Sequence, residues 1–151
     1  MQHTFLFEEG YWKASGYYYT ETGQAHPVEG QVRIYHEDNL WINDGVMKVV
    51  GQESIEIRNR YEVLPWEEGK ELTTWVSLNP GLGLLEGTFT ITGDCILSEY
   101  QAEKGDFSGA EVLIQTSADR YLNRGVLVYQ RKEKLSSWSV ELNRVPNPQA
   151  Y

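Results

Sequence analysis

The sequence predicts an all-β fold: a single ten-stranded antiparallel up-and-down β-barrel. Three observations predict it. Helical periodicity is nearly absent, while Tyr, Trp, Val, Ile and Thr are abundant, the residues that suit a pleated, half-buried chain. Gly, Asn, Asp and Pro recur at short intervals, cutting the chain into ten short strands spaced roughly 10–13 residues apart. The connections are short, so successive strands pair as antiparallel hairpins. A meander of that length removes its exposed edges by closing on itself. A two-sheet sandwich is the alternative arrangement of the same strands.

The strands fall at about 10–20, 28–36, 39–50, 54–64, 71–78, 84–92, 94–102, 107–116, 120–131 and 134–144. Residues 1–151 read as one domain, with the barrel at about 9–144, a tail at 145–151 and an irregular or briefly helical lead-in at 2–9. Alternation then separates inside from outside. In strand one, Lys13 outside places Trp12, Ala14, Gly16 and Tyr18 inside, and Tyr11, Tyr17 and Tyr19 outside. Strand two turns Val28, Val32 and Ile34 inward, and strand three Asn43 and Met47. Strand four is the clearest: Glu56, Arg58, Arg60 and Glu62 share one face, and Ile55, Ile57, Asn59, Tyr61 and Val63 the other. Strand five is ambiguous, because Trp75 shares a face with Glu71. Strand six sends Leu85, Phe89 and Ile91 inward, and strand seven Ser98 and Tyr100. In strand eight, Glu111 is expected outside, with Ala110, Val112 and Ile114 inside. Strand nine carries Tyr121, Asn123, Leu127, Tyr129 and Arg131 inward, and strand ten Trp138, Val140 and Leu142.

Charge narrows the partners. Twenty-two acidic against 13 basic residues give a net charge of −9, which argues against nucleic acid and against an anionic membrane surface. No apolar run approaches the ~20 residues of a membrane span. The start, "MQHTFLFEEG", lacks the basic and apolar regions of a signal peptide. With Cys95 alone there is no internal disulfide, which fits a reducing compartment. A cytoplasmic location is the expectation, and the oligomeric state is not legible. His3, His26, His36 and Cys95 lack metal-ligand spacing, and no phosphate loop, dinucleotide loop or nucleophile elbow is present. No metal, cofactor or catalytic constellation is expected.

Gly10-Tyr11-Trp12 on the first strand resembles the G-x-W motif of lipocalins, in the calycin superfamily. Lipocalins set a late-strand arginine over this tryptophan at the closed end of the barrel. In an even-stranded meander Arg144 reaches that end. The resemblance implies that Gly10, Trp12 and Arg144 form the closed end. The strand count is nearer to fatty-acid-binding proteins and to the nitrobindin-like group. The chain departs from both. The link "ETGQAHP" has no room for the two-helix lid of fatty-acid-binding proteins, their Arg-x-Tyr on the last strand is missing, and no late histidine offers a nitrobindin-type haem ligand. The Phe-rich lead, Gly-x-Trp and Ser98-Glu99-Tyr100 are also similar to barrel-type phycobiliprotein lyases.

A ten-strand barrel has room for more than packed side chains. The expected interior is polar for a core, with Asn43, Asn59, Ser98, Asn123 and several tyrosines; such groups contact one another, water or a ligand. The sequence therefore points to a small, mostly apolar ligand held by a few polar anchors. Candidate contacts are Tyr18, Met47, Tyr100, Tyr129 and Arg131 near the rim where the odd-numbered strands end, with Asn59 and Asn123 deeper in. A lyase or isomerase acting on a bound hydrophobic ligand or chromophore is the alternative; an inward acid–base pair would favour it, and none is legible, which favours the binding reading.

Overall fold

The computed structural model describes residues 2–51 and 55–147. Ten antiparallel strands follow in order: β1 (Gly10–Tyr19), β2 (Ala25–His36), β3 (Trp41–Val49), β4 (Glu56–Val63), β5 (Leu72–Asn79), β6 (Gly83–Thr92), β7 (Cys95–Ala102), β8 (Phe107–Ser117), β9 (Arg120–Tyr129) and β10 (Glu133–Val145). Each pairs with its sequence neighbour, and β10 pairs with β1 to close the barrel. Among the described residues no helix interrupts the meander, and none is long and apolar enough to cross a membrane. The expected tail begins after Val145, and residues 148–151 lie outside the described residues.

Ladder register places Trp12 opposite Arg144 on β10 and opposite Val32 on β2. The arginine turns back over the end of the barrel. Its Cζ lies 5.8 Å from the Trp12 ring centroid, and its guanidinium donates to Glu8 Oε1 at 3.0 Å and to the Glu9 carbonyl at 3.1 Å. Gly10 makes room for it: a Cβ there would sit 3.2 Å from Arg144 Nε.

The lead-in at 2–9 is irregular, with a turn at residues 5–7, and it plugs this end. Phe5 meets Trp12 edge-on at 5.3 Å, and Leu6 is fully buried. Phe7 lies between Trp41 and Trp66, at 5.8 and 4.8 Å. Polar contacts fasten the plug. The Tyr121 hydroxyl receives the Thr4 N–H at 3.0 Å and contacts His3 Nδ1 at 2.9 Å. The Gln115 side-chain amide donates to the Gln2 carbonyl at 2.9 Å. His36, stacked on Trp41 at 4.2 Å, donates from Nε2 to the Leu6 carbonyl at 2.7 Å.

Burial therefore runs as a gradient along the barrel axis. Inward side chains at the plugged end are sealed: Trp12, Val63, Ile96 and Tyr121 are all 0% exposed. At the other end, where the odd-numbered strands finish, Tyr18, Met47, Asn59, Tyr100, Leu127 and Tyr129 keep accessible surface although they face inward. These inward residues are half-buried rather than sealed, so the barrel is closed at the plug and packed less tightly opposite it.

Inside, bulky side chains lie flat against neighbouring strands over glycines. Gly87 sits under Trp75, Gly109 under Tyr100, Gly125 under Trp138 and Gly30 under Met47, each so close that a Cβ would clash. A ring laid along the wall fills less of the lumen than one pointing at the axis. Strand five resolves the same way: Glu71 precedes β5, so Thr73, Trp75 and Ser77 face in without a conflicting charge.

The plug and the Trp12 ring carry much of the closed end's apolar burial. Trp12→Ala is expected to destabilise by about 3–5 kcal/mol in urea unfolding. The indole N–H has no hydrogen-bond partner among the described residues, so Trp12→Phe is expected to lose distinctly less. Equal losses in the two variants would show that the N–H, not the ring surface, holds this end.

Candidate functional site: a lumen centred on Glu111

The sequence places Glu111 outside; the structure places it inside. The pairing of β7 with β8 aligns Ser98 with Glu111 and Ile96 with Leu113, and both partners on β7 are buried inward residues. Glu111, Leu113 and Gln115 therefore face the lumen, while Ala110, Val112 and Ile114 face out. The cause is a β-bulge between Gln115 and Ser117. A regular hairpin closed at Ser117 and Arg120 would pair Ile114 with Asn123 and turn Ile114 inward. Thr116 is the extra residue: it brings Gln115 opposite Tyr121 and Leu113 opposite Asn123. One inserted residue exchanges the faces of the whole strand.

Arg131 is the second correction. β9 ends at Tyr129, and Gln130 and Arg131 form the following turn with φ of 51° and 57°. Arg131 is exposed on the rim and has no inward position.

Glu111 stands at the waist of the barrel. Its neighbour on β9 is Gly125, and the Trp138 ring covers that glycine from β10. The side-chain N–H groups of Trp138 and Asn123 face the carboxylate. Asn123 also donates from Nδ2 to the Val112 carbonyl at 3.3 Å. Among the described residues no cation faces the acid, because the inward positions around it hold aromatic, amide and aliphatic side chains. Burial pushes the carboxyl up from 4.5 to about 7, against the pull of the two N–H donors. Burial first, and the charge of Glu111 second, hold the Tyr100 phenol above its ordinary range. Tyr61 is raised well above its range by burial, then by Glu111 and Tyr100. Tyr61 meets Trp75 edge-on at 4.7 Å, and the Trp75 indole N–H donates to Ser98 Oγ at 3.1 Å.

The sequence-predicted contacts divide accordingly. Asn123 and Tyr100 flank Glu111, with the Tyr100 hydroxyl donating across Gly109 to the Val126 carbonyl at 3.0 Å. Tyr18 and Met47 lie on another part of the wall, packed with Trp138 on Val28, Val49 and Val140. Tyr129 is at the rim against Phe107, 5.4 Å away. Asn59 is on β4, where pairing with β5 is limited to Glu62–Val76 and Val63–Trp75, so its strand borders an open seam. Glu111, Tyr61, Trp75 and Trp138 were not among the predicted contacts. The available signal was the set of mid-strand glycines, 87, 109 and 125, which mark close approach of a neighbour.

A groove of about 620 Å³ on the outside of β1–β3, bordered by Lys13, Gln31 and Lys48, has none of this chemistry. Among the described residues no group of three or more His, Cys, Asp or Glu side chains is arranged to hold a metal ion.

Two solved structures share this fold over nearly their whole length. The S-type phycobiliprotein lyase CPES from Guillardia theta superposes with a TM-score of 0.68 at 10% identity, covering 95% of this chain and 92% of its own. Rv2717c from M. tuberculosis superposes with a TM-score of 0.63 at 14% identity, covering 90% and 91%. The architecture is the calycin-like ten-stranded barrel. No protein-family model and no curated protein matches the chain.

The raised carboxyl makes stability depend on pH with a defined sign. Glu111 binds its proton more tightly in the folded chain than in the unfolded one. Its contribution is therefore fully present below about pH 4.5 and is lost as pH rises through about 7. Glu111→Gln removes that dependence. The variant is expected to gain up to about 3 kcal/mol on the native protein between pH 4.5 and pH 8. Urea unfolding of both chains across that range measures it; a constant difference would mean that the carboxyl titrates normally.

Proposed function

We propose that the barrel binds a small, mostly apolar ligand that enters at the open rim and sets a cationic or N–H-donating group on Glu111. The observation that carries this reading is an inward carboxyl at the waist of an accessible, aromatic-lined lumen with no cation beside it. Apolar walls supply affinity through surface removed from water. The polar anchor supplies orientation. Trp75, Trp138, Tyr61 and Tyr100 offer flat faces, which suits a planar or conjugated molecule. An unpaired buried carboxylate costs several kcal/mol, and a ligand donor that neutralises it recovers part of that cost.

A second reading has its own support. A carboxyl shifted to about 7 gains and loses a proton readily at neutral pH, as a general acid or base requires. On this reading Glu111 moves a proton on the bound ligand, as a lyase or isomerase would. One protein of the same fold is a phycobiliprotein lyase, but a shared fold supports only the architecture; Glu111 carries the chemistry.

The test is fluorescence titration with two environment-sensitive apolar probes of similar size, one cationic and one uncharged. Both are expected to bind saturably. Met47→Trp and Tyr129→Trp, which fill the wall and the rim, are expected to weaken both probes about tenfold or more, a loss of about 1.4 kcal/mol. Glu111→Gln is expected to weaken the cationic probe alone by a similar factor. Cationic binding by the native chain should tighten as pH rises through 7, because the carboxylate then forms. Absence of saturable binding, or binding indifferent to all three substitutions, would falsify the lumen as the site.

A further inference from the structure

The bulge that turns Glu111 inward has a second effect, on the outside of the barrel. It turns the half-buried Val112 and Ile114 outward on β8, beside the half-buried Leu122, Val126 and Val128 on β9 and the exposed Leu97 on β7. These residues form one continuous apolar face. Its borders are polar: Thr88, Thr90 and Thr92 on β6, and Lys134, Ser137, Ser139 and Glu141 on β10. An apolar centre with a polar rim is the anatomy of a protein interface. No lysine interrupts the centre, although surface charge is the usual protection of an exposed sheet face.

We propose that this face joins two copies of the chain in a two-fold dimer, sheet against sheet. Charge placement selects a second copy as the occupant. The centre of the face carries two charges, Glu99 on β7 and Arg124 on β9, on opposite sides of β8. Neither has an ion-pair partner among the described residues. The Arg124 guanidinium donates only to the carbonyls of Asn123 and Val140, at 3.0 and 3.4 Å. A two-fold axis along β8 lays β9 of one copy over β7 of the other. Arg124 shares its row with Val112 and Leu97, and Glu99 lies two residues further along β7, about 7 Å away. With stacked sheets about 10 Å apart, an arginine side chain spans that offset. Symmetry makes the contact twice. A chain of net charge −9 repels its copies, so association belongs where acid and base cancel locally, and here they do.

Sedimentation velocity from low to high micromolar protein tests the proposal. The native chain is expected to move from monomer to dimer. Val112→Lys, which points outward, is expected to raise the dissociation constant at least tenfold, or about 1.4 kcal/mol. Glu99→Arg and Arg124→Glu should each weaken the dimer by a comparable factor. The double variant Glu99→Arg/Arg124→Glu should recover most of the loss, because the crossed pair re-forms with its signs exchanged. Circular dichroism and probe binding in the lumen should stay native in all four variants, which separates this result from the fate of the ligand reading. A chain that stays monomeric throughout overturns the proposal. So does a dimer unmoved by Val112→Lys, or a double variant no tighter than the singles.

Discussion

A β-strand has two faces, and a shift of one residue exchanges them. In this barrel the shift happens at Thr116, and both surfaces of β8 follow from it. Remove the bulge in thought, and Ile114, Val112 and Ala110 turn inward, giving an apolar lumen and a charged exterior. With it, the carboxyl of Glu111 stands inside and the valine–isoleucine row outside. Bulges disrupt pairing and are retained where they re-aim side chains. This one also lies close to the plug, since it delivers Gln115 to the Gln2 carbonyl. The Gln115 anchor of the plug, the acid at the waist and the apolar outer face are thus consequences of one register.

The lumen stays open by a different device. Trp75, Tyr100 and Trp138 are bulky, and each is folded down onto a glycine of the adjacent strand. Glycine weakens a strand by roughly 0.5–1 kcal/mol relative to alanine. Here the ring covers the glycine and shields the ladder around it. The result is a wall with an aromatic surface and a polar edge: the Trp75 N–H on Ser98, the Tyr100 hydroxyl on Val126 and the Trp138 N–H toward Glu111. At the plugged end the rings point at one another instead, and Phe5, Trp12 and Tyr121 meet within 5.3–5.7 Å. The same residue types make a core at one end and a lining at the other, and the glycines decide which.

Much of the fold was legible because strand alternation and turn residues are local signals. Strand four shows it best: four charged residues on one face oblige the other to be inward. The pairing of Trp12 with Arg144 was legible through strand number alone, since an even meander brings its last strand back to its first. Strand eight was not legible. Its sequence, Ala110-Glu111-Val112-Leu113-Ile114, is apolar on both faces, so the charge was the only cue, and the cue assumes that charge faces water. That assumption fails here because the bulge at Thr116 changes the register and turns the acid inward. Arg131 failed for a related reason: alternation extends a strand until something stops it, and the left-handed turn at Gln130 and Arg131 contains no glycine to announce it. The plug was read only as an irregular lead-in, because its contacts with Tyr121, Gln115 and His36 join residues far apart in the chain.

Glu111 is the point at which folding and use diverge. A glutamine of nearly the same shape would keep hydrogen bonding to Trp138 and Asn123 without the burden of a charge. The raised carboxyl shows that the acid is held against its preference for water, with burial as the larger influence and the two donors opposing it. A group that lowers stability in the resting chain is retained where another state makes use of it. On the proposed function, two states satisfy that condition at this position. In one, a ligand donor meets the carboxylate; in the other, the carboxyl passes its proton to the ligand. Both need the open half of the barrel, the flat aromatic wall and the absence of a competing cation. A lysine or arginine at any inward position around the waist would pair with the acid, return its pKa to the carboxylate range and end both roles. Leaving Glu111 unpaired is therefore as much a feature of the site as the acid itself.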